Sequence, residues 1–172
     1  VWLHITPTVY QTLPLYTNLG TTGTYVYASD MNIKERSATI NVESEVRNES
    51  KKTARVGFNV EVFDRDGKKV ASFSGTEKEI VPGETAVLSA SGRLGNLNFW
   101  SWGYGYLYDV KTTLTVNGKP QDEVVTTTGF RKTRFGEGKI WLNERVLQMK
   151  GYAQRSSNEW PGVGMSVAPW LS

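Results

Sequence analysis

Apolar and polar residues alternate with a period of two over most of the first 130 positions, and a helical period is nearly missing. From Ala38 to Val46 the residues Ala38, Ile40, Val42, Ser44 and Val46 share one face, and Asn41, Glu43 and Glu45 share the other. Val56, Phe58, Val60 and Val62 form an apolar face of the same kind between Arg55 and Asp64. Side chains of a strand point alternately to its two sides, so each segment reads as a strand with one buried face. Arg47 to Lys52 is polar and turn-like, which predicts a hairpin joining the two.

Turn chemistry punctuates the rest. Asp66-Gly67 predicts the next hairpin, and Val81-Pro82-Gly83-Glu84 a further turn before a strand in TAVLSAS. Strands are predicted at Tyr106 to Val116 and Glu123 to Thr128, joined through Asn117-Gly118, a dipeptide suited to the positive φ angles of a tight hairpin. Adding segments at Thr24 to Ser29 and Lys69 to Phe73 gives about seven strands, the size of an immunoglobulin-like antiparallel β-sandwich, with a closed barrel as the alternative. The fold class is therefore all-β. After Thr128 the texture changes to two or three short strands, with turns at Gly136 to Gly138 and at Asn143-Glu144. No period is clear from Ala153 to Ser172.

Composition limits the chemistry. The 172 residues include no cysteine and one histidine, His4, which removes thiolate catalysis, thiolate metal sites and any site needing two imidazoles. No metal set and no cofactor is assigned. Lys and Arg number 20 against 17 Asp and Glu, without a basic stripe, so nucleic acid is not an expected partner. No apolar run approaches the roughly 18 residues of a membrane helix, and no membrane partner is expected. Periplasmic, secreted and cytoplasmic placements are all compatible with this composition. Glu43 and Glu45 share a polar strand face and read as solvent-facing charge, not a catalytic pair. Asp64 and Asp66 read as turn residues, and His4 beside Leu3 and Ile5 as a structural strand residue. Asn48-Glu49-Ser50 is a glycosylation sequon, read as a chance match.

A series of short motifs carries a resemblance: Val1-Trp2-Leu3, Trp100-Ser101-Trp102, Leu107-Tyr108, Gly129-Phe130-Arg131, Leu142-Asn143-Glu144 and Lys150-Gly151. In order and spacing they resemble the family 2 glycoside hydrolases, the β-galactosidase and β-glucuronidase superfamily. The resemblance implies a remnant of a jelly-roll sugar-binding domain over 1–9, an immunoglobulin-like sandwich over 10–130, and the start of a (β/α)8 barrel over 131–172. The 42 residues after position 130 cannot close a barrel of about 250. The sandwich's partners would be the sugar-binding domain and the barrel of the same chain, and the substrate of the intact enzyme a β-glycoside, with a β-galactosidase-like activity foremost.

The same resemblance places Arg155 at the carboxyl end of the first barrel strand, facing the sugar site, with Asn158, Glu159 and Trp160 on the loop that follows. No catalytic residue is assigned, because Glu159 lacks the second carboxylate that a retaining mechanism requires. Three departures stand out: the prolines expected in WSWGYGYLY are missing, Glu144 replaces a hairpin glycine, and Gln154-Arg155-Ser156-Ser157 lacks the family's histidine. Alternation would set Trp100, Trp102, Tyr104, Tyr106 and Tyr108 on one side, as a strip for interdomain packing or, in a free-standing binding module, a sugar platform. The apolar tail over 131–172 is expected to fold back on the sandwich, above all near the Gly129-Phe130-Arg131 junction, or to pair with a second copy as a non-native dimer, for which the segment after Gly151 is freer.

Overall fold

A computed structural model describes residues 3–16 and 19–151. It contains twelve strands: β1 (Val9–Gln11), β2 (Thr24–Asn32), β3 (Ser37–Asn48), β4 (Ala54–Phe63), β5 (Lys69–Ser74), β6 (Lys78–Ile80), β7 (Thr85–Leu94), β8 (Tyr108–Val116), β9 (Lys119–Thr128), β10 (Thr133–Gly136), β11 (Lys139–Leu142) and β12 (Arg145–Leu147). All pairings are antiparallel. In one sheet β7 runs along one edge of β3, while β2 and β1 share the other. In the second, β8 lies along one edge of β4, β5 and β6 share the other, and β9 pairs with β8. The third sheet is the small meander β10-β11-β12.

The first two sheets face each other across one core. Ile40, Val42 and Val46 of β3 and Val56, Phe58, Val60 and Val62 of β4 are all buried, as the alternation predicts, together with Leu88, Val110 and Leu114. The fold is an immunoglobulin-like antiparallel sandwich, and two separate sheets replace the barrel alternative. The sandwich has nine strands instead of about seven. Sequence reading passes over β1 and β6, each three residues long, because a three-residue strand shows too little alternation to be recognised.

The hairpin predicted between β3 and β4 does not exist. The two strands lie in opposite sheets, and residues 49–53 carry the chain across. The physical reason is that β4 owns a wholly apolar face and β3 one that is apolar except at Ser44 and Asn48. As neighbours in one sheet those faces would lie side by side, whereas in opposite sheets they cover each other. A second crossing, at Val81 to Glu84, takes the chain from β6 in one sheet to β7 in the other.

Asn48 is the residue at which both crossings meet. Its side chain is wholly buried, and its Nδ2 donates to the carbonyls of Lys52 (2.9 Å) and Ile80 (2.8 Å). Its Oδ1 accepts from the Ser50 amide at 2.9 Å. On the backbone, the Asn48 amide donates to the Glu84 carbonyl at 3.0 Å, and Gly83 donates to the Asn48 carbonyl at 2.7 Å. An amide so enclosed is closed to glycan transfer, which accounts for the sequon as a packing feature.

The Asn117-Gly118 hairpin is present, with both residues at positive φ (50° and 78°), the backbone of a tight two-residue connection. Asp64 and Asp66 serve the β4–β5 turn, where Asp64 Oδ1 accepts the amides of Asp66 (3.0 Å) and Lys68 (2.9 Å). Glu43 and Glu45 are structural as expected, but half-buried: Glu43 accepts from the Tyr27 hydroxyl at 3.1 Å, and Glu45 from the Thr12 hydroxyl at 2.7 Å. His4 is not a strand residue. It is exposed and precedes β1, since a strand needs a pairing partner that Leu3 to Ile5 do not meet.

Gln11 bolts β1 between the sheets. Its Oε1 accepts from Thr112 (2.7 Å) and Ser44 (3.0 Å), both wholly buried, and its backbone amide donates to Asp122 at 2.8 Å. Ser44 belongs to the first sheet and Thr112 and Asp122 to the second, so one side chain ties the two layers.

Two substitutions test this architecture. Phe58→Ala empties a core position and should cost about 3–5 kcal/mol, lowering Tm by roughly 6–20 °C. Asn48→Ala strands two carbonyls at the crossings and should cost about 2–4 kcal/mol. Thermal denaturation followed by circular dichroism checks both, and an unchanged Tm for Asn48→Ala would show that the crossings hold without it.

Candidate functional site

Family-like motifs between Trp100 and Lys150 meet at one end of the sandwich. Residues 95–107 link β7 to β8 without regular strand structure, so the period of two that would align the five aromatic rings is lost there. Trp102 (77% exposed) and Tyr104 face solvent, whereas Tyr106 and Tyr108 are buried. The single-sided strip is thus corrected to a split arrangement. Gly103 at φ 74° turns the chain between Ser101 and Tyr104, which exchange backbone hydrogen bonds at 3.0 Å.

From the exposed Tyr104 a ladder of rings runs inward: Tyr104 to Tyr106 at 5.8 Å, Tyr106 to Tyr108 at 5.0 Å, and Tyr108 to Phe130 at 5.4 Å between centroids. These are the offset and tilted separations that aromatic quadrupoles favour. The Tyr108 oxygen accepts the Asn98 amide at 2.8 Å, and burial pushes its phenol above the ordinary tyrosine range. Arg36 steadies the start of the connection, donating to the carbonyls of Leu97 (2.9 Å) and Asn96 (3.1 Å) and to Asn98 Oδ1 (2.8 Å).

Trp100 and Asn143 join this region to the β10–β12 sheet. The Trp100 amide donates to the Phe130 carbonyl at 2.9 Å, and Arg131 lies 5.3 Å from the centroid of the Trp100 ring. Gly129 must be glycine here, because a Cβ would stand 2.9 Å from Trp100 Cβ and 3.0 Å from the Tyr106 carbonyl oxygen. Asn143 sits in the β11–β12 turn at φ 48°, followed by Glu144 at φ 64° in the place of the family's glycine. Asn143 Nδ2 donates to the Trp100 carbonyl (2.9 Å), its Oδ1 accepts the Lys132 amide (3.0 Å), and its own amide donates to the Lys132 carbonyl (2.9 Å). One residue therefore holds the meander against the sandwich. The Leu-Asn motif marks its position in the sequence, but nothing in spacing reveals its partners.

Beside this clamp, Trp102, Leu147, Gln148, Met149 and Lys150 line a mostly apolar groove of about 250 Å³. Met149 is 67% exposed and Leu147 half-buried, so the end of the described chain presents an unpartnered apolar surface. The remaining named site residues, Arg155, Asn158, Glu159 and Trp160, and the first barrel strand after Lys150 lie outside the described residues. Among the described residues no cluster of three or more His, Cys, Asp or Glu could hold a metal. The arrangement can grip and orient neighbouring polypeptide; it brings no pair of free carboxylates together.

Comparison with known proteins gives a consistent answer. The family described as "Glycosyl hydrolases family 2" matches residues 24–131. A β-glucuronidase of Formosa agariphila is 33% identical over 172 residues, which cover 99% of this chain and 17% of that protein. The structure of a family 2 β-glucuronidase superposes with a TM-score of 0.78 at 30% identity, over 92% of this chain and 16% of the other. A putative β-galactosidase of Bacteroides fragilis gives 0.70 at 27% identity, over 84% and 21%. The chain thus spans about a sixth of the length of the first two relatives. The matched span runs from β2 to Arg131, taking in the core except Val9 of β1 together with the Trp100 connection, and the chain belongs to glycoside hydrolase family 2.

Proposed function

We propose that this chain is the scaffold of a retaining β-glycosidase, holding a catalytic barrel downstream and a sugar-binding domain upstream in fixed relative positions. The observation that carries this reading is the clamp of Asn143 on Trp100 and Lys132, which makes the exit from the sandwich a rigid joint. The apolar groove at Trp102 and Met149 supplies a surface for the following domain to cover. Two of the relatives are named β-glucuronidases and one a putative β-galactosidase, so their names favour a β-glucuronide over the β-galactoside suggested by the motifs alone. In the intact enzyme Arg155, Asn158, Glu159 and Trp160 would approach the sugar.

Hydrolysis with retention uses two carboxyl groups roughly 5–5.5 Å apart, one as nucleophile and one as acid and then base. Glu159 is the sole carboxylate side chain after Glu144, and in the sandwich Asp64 serves a turn, Glu61 an ion pair, and Glu43 and Glu45 hydroxyl contacts. The 172-residue chain assayed with nitrophenyl β-glucuronide, β-galactoside and β-mannoside should release no nitrophenol. Turnover abolished by Glu159→Gln would overturn the scaffold reading.

The joint itself is testable. Asn143→Ala removes two side-chain hydrogen bonds and puts a less tolerant residue at positive φ, for a local cost of about 1–3 kcal/mol. Limited proteolysis should then cut between residues 131 and 151 faster, while Tm of the sandwich stays close to its original value. Unaltered cleavage would mean that other contacts hold the meander.

A further inference from the structure

The β10–β12 meander is electrically unlike the rest of the molecule. Residues 131–151 carry six basic side chains against two acidic, whereas residues 1–130 carry 13 against 14. On one part of this meander Lys132, Arg134, Trp141 and Glu144 line a cavity of about 170 Å³. Arg134 and Trp141 face each other across β10 and β11, and the guanidinium carbon lies 4.5 Å from the indole centroid. Lys132 Nζ is 3.0 Å from Glu144 Oε1, and Arg134 Nη1 is 3.7 Å from Glu137 Oε1.

Trp141 Nε1 is the one buried side-chain polar atom among the described residues that has no hydrogen-bond partner. An indole nitrogen can only donate, as can a guanidinium and an ammonium, so the residues that line this cavity bring three donor groups against one carboxylate. Leaving a buried donor unmet is costly, and native structures seldom do it without a reason. What the indole lacks is an acceptor; Lys132 and Arg134, though paired with Glu144 and Glu137, keep further N–H groups to donate, and the net positive charge of residues 131–151 favours an acceptor that is negative. The cavity is well below the roughly 300–1,000 Å³ of a drug-sized ligand site, so it suits one small group.

We propose that Lys132, Arg134 and the Trp141 indole form a carboxylate-binding pocket, with Arg134 as its movable wall. An incoming carboxylate draws the guanidinium off the indole face and accepts from it, from Lys132 Nζ and from Trp141 Nε1. Charge-assisted bonds of this kind are about twice as strong as neutral ones. Two sources supply the same chemistry: an Asp or Glu side chain of neighbouring polypeptide, or the acid group of a uronate sugar. The pocket does not depend on the scaffold reading, and its test gives a separate readout.

The test follows the indole N–H resonances of the ¹⁵N-labelled chain by NMR. The Trp141 peak is assigned by its loss in Trp141→Phe, which keeps an aromatic ring and removes the donor. Sodium acetate, sodium glucuronate, glucose and sodium chloride are titrated at constant ionic strength. We expect acetate and glucuronate to move the Trp141 peak saturably, glucose and chloride to leave it in place, and the other indole peaks to hold still. Lys132→Gln, which keeps the half-buried residue's backbone bonds to Asn143, should raise the half-saturation concentration about tenfold, equivalent to about 1.4 kcal/mol, with an unchanged Tm showing that the fold is retained. Equal half-saturation by acetate and glucuronate supports the pocket with a side-chain carboxylate as its source. Half-saturation by glucuronate at about one tenth the acetate concentration supports it with a uronate sugar as the source. A Trp141 peak unmoved by both carboxylates, or moved as far by chloride, overturns the proposal.

Discussion

A single buried amide, Asn48, sets the terms for the whole sandwich. The chain changes sheets twice near it, once after β3 and once before β7, and the changes leave backbone carbonyls in need of partners, that of Ile80 buried and that of Lys52 partly so. The Asn48 side chain meets two of these carbonyls and its backbone pairs with the second crossing at Gly83 and Glu84. An apolar residue at this position would fill the space and leave the carbonyls unmet. The apolar faces of β3 and β4 cover each other only if the chain crosses between sheets, and the crossing is sustained only where its polar groups are satisfied. Burial and polar satisfaction are two halves of one constraint.

The strands were legible in the sequence wherever one face is uniformly apolar. Ile40 to Val46 and Val56 to Val62 lie on the faces that alternation assigns to them, and Asn117-Gly118 turns the chain where the dipeptide says it should. Pairing was less legible, because adjacent strands with polar residues between them look alike whether the chain doubles back or crosses over. The β3–β4 segment differs from a hairpin in what Asn48 reaches, and that is a long-range fact: Ile80 lies 32 residues away. The aromatic stretch failed differently. Its alternating spelling from Trp100 to Tyr108 mimics a strand, but Gly103 at positive φ turns the chain there, so Trp102 and Tyr104 are exposed while Tyr106 and Tyr108 are buried.

The junction at Trp100 shows how much of the candidate site a motif can and cannot convey. Trp100, Gly129, Arg131 and Asn143 are far apart in sequence and form one contact set, so the motifs that carry the family likeness are also those that build the joint. Their chemistry is mechanical. Gly129 is defined by what a methyl group would strike, and Asn143 by three hydrogen bonds that fit its backbone and side chain together. By contrast, the cavity around Trp141 shares only Glu144 with the family motifs. It emerges once pairing places Arg134 opposite the indole, information that linear spacing does not contain.

Gln11 has a mechanical consequence for whatever is joined upstream. Its side chain is anchored in the middle of the sandwich, to Thr112 on β8, 101 residues later. Val9 is therefore only two residues from a fixed point, and two residues span at most about 7 Å of extended chain. Flexible linkers allow an attached body to wander over distances that grow with the square root of their length. Here there is almost no length to wander over. Asn143 imposes the same condition at the opposite end of the sandwich, so torque applied at one end is passed to the other through packed β-structure instead of being absorbed by slack. The sandwich is then less a tether than a short axle.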